Sequence, residues 1–125
     1  MRRGMGMVVA ALVLAACGGP AADARAVDEI RNNTRVEWPY TDDQTVDQMN
    51  GVCRSLRTRS VADLLDAFAG QWSGQFVTSD LAHDYGVLIR YSVEGRCPQF
   101  ASVIEDQDYR GHPGWKGVYY GDKRG

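Results

Sequence analysis

Cys17, Cys53 and Cys97 offer thiols, and His83 and His112 offer imidazoles. Asp42, Asp43 and Asp47 form one group of carboxylates, and Glu105, Asp106 and Asp108 a second. Acid–base catalysis needs one such group held against a reacting proton, and a structural zinc needs four converging ligands. His83-Asp84 is the one His–acid neighbour pair. Adjacent residues on a helix point in different directions, so no dyad is expected between them. No serine in a nucleophile-elbow context accompanies them, and an ordinary helix surface is the expected setting. His112 lies in "RGHPGWKG", a turn, where solvent exposure is expected. The first acidic group lacks the Asp-x-Asp-x-Asp-Gly spacing and later Glu of a calcium loop, and charge at a helix N-terminus accounts for it. Glu105, Asp106 and Asp108 read as a solvated acidic turn. Cys53 and Cys97 are distant and have no histidines beside them, which argues against zinc. No Cys-x-x-Cys is present, which argues against redox chemistry. The expectation is a non-enzymatic chain with no catalytic residue, no metal and no cofactor.

Cys17 is a different matter. The chain opens "MRRGMGMVVAALVLAACGGP", with Arg2 and Arg3 ahead of an apolar run from Met7 to Ala16. A run of about ten residues suits a signal-peptide h-region and is too short for a membrane span of roughly 20. Leu14-Ala15-Ala16-Cys17 resembles the bacterial lipobox, where the cysteine thiol receives a diacylglyceryl group by thioether formation. Small residues on the scissile side let the peptidase approach, and Gly18-Gly19-Pro20 suit a tether. The alternative is a buried structural cysteine after a plain signal peptide. A twin-arginine export route is disfavoured, because the apolar residues that closely follow such a pair are missing. Lipidation at Cys17 also resolves the odd cysteine count. It leaves Cys53 and Cys97 as a pair, which outside the cytoplasm is most simply a disulfide. The expected partner at this end is therefore the membrane, and the expected location the outer face of the cell membrane.

Cleavage before Cys17 leaves about 109 residues, enough for one small domain. The formal charge of the whole chain is −2, and loss of Arg2 and Arg3 makes the product more acidic. With no basic block, nucleic acid is not an expected partner. The expected organisation is a signal peptide over residues 1–16, a flexible tether over 17–25, a helical disulfide domain over 26–98 and an irregular Gly- and aromatic-rich tail over 99–125.

The elements that must position these residues read as helices. A short one is expected near Ala26–Asn33. "EWPY" follows as an extended stretch, because Pro39 disfavours helix at Trp38. Thr41-Asp42-Asp43-Gln44 has the form of a capping box. Val46, Met49, Cys53 and Leu56 follow at spacings of three and four, one apolar stripe. Gly51 weakens this helix by about 1 kcal/mol relative to Ala, and a close helix crossing would explain it. Ser60-Val61-Ala62-Asp63 starts a further helix with Leu64, Leu65 and Phe68 inside and Gly70 as its stop. "QWSGQFVT" is a loop, and Thr78 or Ser79 caps a helix from about Asp80 to Gly95. Its expected inward residues are Leu81, Tyr85, Leu88, Ile89 and Ser92, with Val93 at the margin; Val87-Leu88-Ile89 alone also fits a strand. The fold class expected is all-α, a small bundle of three to four short helices stapled by one disulfide. That disulfide closes a loop of about 45 residues, worth roughly 4 kcal/mol in the chain-entropy model.

An exported N-terminus, "NGVCRSL" and "LIRYSVEGRCP" together resemble the actinobacterial domain-of-unknown-function family numbered seven hundred thirty-two. Its members are small secreted or lipid-anchored helical proteins of mycobacteria, their relatives and their phages. The resemblance runs from Val27 to Pro98 and is carried by Cys53 and Cys97-Pro98. "SGQFVTSDLA" departs from the family's inter-helix wording, and the tail after Pro98 is extra. The resemblance implies fold, export and the disulfide, and nothing catalytic. Trp115, Tyr119 and Tyr120 are crowded into the tail, with Trp38 and Trp72 elsewhere. Aromatic rings on loops stack on sugars or anchor protein partners; alternatively, the tail folds back and the rings complete the core. The functional expectation is a lipid-anchored envelope protein that binds an unknown envelope protein or glycan. The alternative is a prophage-encoded lipoprotein that blocks DNA injection by superinfecting phage.

Overall fold

A computed structural model describes residues 20–71 and 79–123. Among these the chain is all helical. Helix α1 is Pro20–Asn33, α2 Asp42–Ser55, α3 Val61–Gln71 and α4 Ser79–Arg96. A 3₁₀ turn at Pro98–Phe100 leads into α5, Ala101–Glu105, and α6, Trp115–Tyr120, completes the set. No helix of the described residues is long and apolar enough to cross a membrane.

Helix α1 starts earlier than expected. Pro20 is its first residue, where a missing N–H costs nothing and the fixed φ suits a helix. Residues 20–25, expected as tether, are therefore helical, and Cys17, Gly18 and Gly19 lie outside the described residues. The reason is tertiary: Asp23 takes Arg96 of α4 in an ion pair of 3.0 Å. Ala26, Val27 and Ile30 are buried behind it.

The capping box at Thr41 is present: its side chain accepts from the Gln44 N–H, and the Gln44 side chain returns to the Thr41 N–H. Trp38 in the preceding extended stretch is buried, and its indole N–H donates to Thr45 Oγ1 at 2.9 Å. Thr45, Met49 and Val52 form the buried line of α2, with Val46 and Cys53 half-buried at its edges. Ser60 and Asp63 cap α3 reciprocally, each side chain meeting the other's N–H. Gly70 does not stop α3, which continues to Gln71. Trp72 and Thr78 lie outside the described residues.

Helix α4 is the axis of the molecule. Its residues His83 to Ile89 are all buried, as are Ser92, Val93 and Gly95, because α1, α2, α3 and α6 all pack on it. Over residues 83–89 the helix is covered all round and keeps no polar face, which overturns the expected surface setting of His83. Cys97, just past its end, is joined to Cys53 of α2 in a disulfide with the Cα atoms 5.9 Å apart.

The C-terminal segment is more regular than expected. Tyr109 and Val118 are fully buried core residues, and the phenol of Tyr109 donates to the Ile104 carbonyl at 2.6 Å. Helix α6 lies backbone to backbone on α4, at Gly86 on one side and Gly117 on the other. A methyl at Gly86 would press on the Gly114 carbonyl and lie 2.9 Å from the Val118 nitrogen. Gly51, by contrast, marks no crossing: its nearest neighbour would be the Arg54 side chain at 3.9 Å.

Candidate functional site

The three aromatic residues singled out in the sequence come together on α6. The rings of Tyr119 and Tyr120 meet edge to face at 4.8 Å, and Trp115 lies 6.0 Å from Tyr119 and 6.4 Å from Tyr120. The i, i+4 spacing of Trp115 and Tyr119 puts them on one helical face. Trp115 is half-buried against the core. Tyr119 and Tyr120 stay exposed, at 38% and 37%. Packing and exposure therefore divide the segment: Gly117 and Val118 face inward, and the two tyrosines face out. Two cations join them, the Arg110 guanidinium 5.0 Å above the Trp115 ring and the Lys116 ammonium 5.8 Å from it. A cation over an indole is worth about 0.5–1 kcal/mol at an exposed site. Neither was singled out in the sequence, although both flank Trp115 at short range.

This face is held rigidly. Gly121 follows α6 with φ 68°, and its N–H returns to the Gly117 carbonyl at 3.0 Å, the left-handed ending that glycine allows. Arg90 of α4 donates to the carbonyls of Val118 and Tyr119 at 2.9 and 2.8 Å. The Tyr91 phenol donates to the Gly121 carbonyl at 2.6 Å. Burial, with the Glu29 and Glu94 carboxylates nearby, pushes this phenol above its ordinary pKa, which keeps it a donor.

The His83–Asp84 pair belongs to the same support. Contrary to expectation the two side chains do meet, with Nδ1 of His83 3.0 Å from Oδ1 of Asp84, and both are buried. The other ring nitrogen, Nε2, contacts the Asp122 carbonyl at 2.5 Å. Asp84 also accepts the N–H groups of Arg35 at 2.7 Å and Val36 at 3.0 Å. Both imidazole nitrogens are thus occupied by the protein. The pair fastens the 34–36 stretch and the C-terminal segment to α4 and positions α6. His112 is half-buried rather than free in solvent, because its Nδ1 meets Asp66 of α3 at 2.8 Å.

Asp42 and Asp43 sit in the first turn of α2, and Asp42 pairs with Arg31 at 2.7 Å. Glu105, Asp106 and Asp108 are exposed. Among the described residues no group of three His, Cys, Asp or Glu side chains is placed to hold a metal ion. An open cleft of about 570 Å³ between α2, α3 and α4 was not foreseen. Tyr40, Phe68 and Tyr85 supply its aromatic lining, and Phe68 and Tyr85 stack at 4.5 Å. The sequence places both rings on inward helix faces, and spacing alone cannot show where facing helices diverge.

No protein-family model, no curated protein and no solved structure matches this chain.

Proposed function

We propose that this protein is a lipid-anchored envelope protein that works by binding, through the exposed ring face of α6, to a protein or glycan of the cell surface. The observation that carries the reading is the exposed Tyr119–Tyr120 pair on a helix whose other side is locked to the core. Tyrosine and tryptophan supply large contact areas with few rotatable bonds, which is why they dominate binding hot spots. Holding them in place before contact removes part of the ordering cost of association. The anchor is supported by the Leu14–Cys17 motif under a short apolar run with two preceding arginines. Two acyl chains hold a protein at a membrane where one binds only marginally. The proposed kinship with the domain-of-unknown-function family rests on Cys53 and Cys97-Pro98.

Site-specific photocrosslinking tests the binding surface. A benzoylphenylalanine at position 119 should give a discrete adduct in envelope preparations, whereas the same group at the exposed Ala67 of α3 should not. Equal adducts at both positions would place the contact elsewhere. For the anchor, Cys17→Ser should abolish acyl labelling and release the protein from membranes; unchanged detergent partitioning would contradict it.

A further inference from the structure

One end of the bundle gathers three arginines. Arg96, at the last turn of α4, bridges both neighbouring helices: its Nη1 reaches the two carboxylate oxygens of Asp23 in α1 at 3.0 and 3.1 Å. Its Nε donates to Asn50 Oδ1 of α2 at 3.0 Å. The first turn of α1, the C-terminal half of α2 and the end of α4 therefore share one end of the molecule, where the Cys53–Cys97 disulfide also lies. Arg54 and Arg57 join Arg96 around a polar cleft of about 440 Å³ there, with Phe100 at its edge. Both are exposed, and no acidic residue among the described residues pairs with either. Asp23 is engaged by Arg96, and Asp47, which shares a groove with Asp23, stands two turns or roughly 10 Å from Arg54 along α2.

The chain enters the fold at this same end. Cys17 precedes Pro20 by three residues, so with consecutive Cα atoms 3.8 Å apart it lies within about 11 Å of the start of α1. The opposite end is mixed in charge, with Asp42 and Asp43 at the start of α2, roughly 18 Å from Arg54 along the helix axis, and with Arg31 paired to Asp42 and Arg35 to Asp80. An anionic surface thus meets unpaired arginines at one end of this molecule and largely paired charges at the other. The attraction acts only over about a Debye length, roughly 8 Å at physiological salt, a distance that Cys17 can hold closed.

We infer that the arginine end, through the exposed Arg54 and Arg57, docks on anionic lipid headgroups beside the Cys17 anchor. A weak electrostatic patch and a covalent lipid make a two-part membrane contact. Docked in this way, the bundle stands with α4 rising from the bilayer. Helix α6 then runs beside α4 with its Tyr119 carbonyl at Arg90, six residues or roughly 9 Å from Arg96 along the axis. The orientation rests on the proposed lipidation, whereas headgroup binding is a property of the folded domain and can be read without the lipid.

The test uses the chain from residue 17 with Cys17→Ser, which keeps every described element, in co-sedimentation with vesicles. Phosphatidylcholine vesicles are compared with vesicles of phosphatidylcholine mixed with anionic phosphatidylglycerol. Binding should be confined to the anionic vesicles and should fall as salt is raised. Arg54→Gln with Arg57→Gln should lower partitioning roughly 10- to 30-fold. Arg31→Gln with Lys123→Gln, the same loss of charge at the other end, should leave it within about twofold. Equal binding to both vesicle types, insensitivity to salt, or equal effects of the two double variants would overturn the proposal. Acyl labelling at Cys17, measured separately, decides the anchor whatever the vesicles show.

Discussion

Replacing Gly86 by alanine should cost the protein stability, and replacing Gly51 by alanine should add to it. The substitution is the same, and both residues lie within helices. At Gly86 the new methyl would collide with the Gly114 carbonyl and lie 2.9 Å from the Val118 nitrogen and 3.1 Å from the Gly117 Cα. Every one of these is backbone, so no side chain can swing aside and α6 itself must move. Overpacking costs about 1–3 kcal/mol, and rigid neighbours put this site near the upper figure. Alanine's helix propensity returns about 1 kcal/mol, for a net loss of roughly 2 kcal/mol. For a domain of this size that lowers Tm by roughly 10 °C. At Gly51 the methyl meets only the Arg54 side chain at 3.9 Å, so the propensity gain stands and Tm should rise by roughly 5 °C. Circular dichroism melts of the two variants supply the comparison. If both shift in the same direction, or Gly86→Ala is the more stable, α6 is not seated on α4 as described.

Three further outcomes follow from the packing. Removing the disulfide by Cys53→Ala with Cys97→Ala should lower unfolding free energy by about 2–5 kcal/mol, read from urea denaturation; a loss below 1 kcal/mol would mean that the closed loop is already constrained. Asp84→Ala strips the acceptor from the Arg35 and Val36 N–H groups and from His83. It should cost about 2–4 kcal/mol, with Asp84→Asn milder because it keeps one oxygen; equal losses from the two would show that the acceptor does not matter. The phenols of Tyr91 and Tyr109 both stand above their usual 10.0, chiefly through burial. The unfolded chain therefore loses these protons first, so their contribution is full below about pH 10 and is lost as pH rises toward the folded values. The urea midpoint should fall with pH in that range, and fall less steeply in Tyr109→Phe; a flat midpoint would contradict the burial of these phenols.

The helices that carry their own end signals were legible in the sequence. Thr41 and Gln44, and Ser60 and Asp63, are local pairs, and local hydrogen bonds can be read from spacing. The Cys53–Cys97 pairing was legible because Cys17, read as a lipid site, leaves one pair. What escaped depended on which surfaces are covered. His83 and Asp84 read as surface because neighbouring helical residues diverge, and the sequence does not show that α4 is enclosed over residues 83–89. The glycines of the C-terminal segment suggest an irregular, turn-rich tail. Gly121 is a turn former, with positive φ, but Gly117 is helical and small because Val87 and His83 backbone atoms lie against it. Gly51, with no crossing to serve, shows that a helical glycine alone does not separate these cases. The aromatic site was legible as a crowd of rings, whereas its division into a buried Val118 and exposed Tyr119 and Tyr120 required the docking of α6.

The ring face of α6 is tested most directly by Tyr119→Ala with Tyr120→Ala. This double variant removes both exposed rings and leaves the Gly117–Val118 seat untouched. Wild-type and variant chains from residue 17 would be immobilised, exposed to the same envelope extract, and their captured material quantified, with thermal unfolding recorded on the same preparations. Loss of two hot-spot rings should reduce specific capture at least tenfold, in keeping with about 2 kcal/mol or more for such truncations. Tm should stay within about 3 °C, as for surface substitutions. Undiminished capture by a variant with an unchanged Tm would contradict the claim that this face is the binding surface.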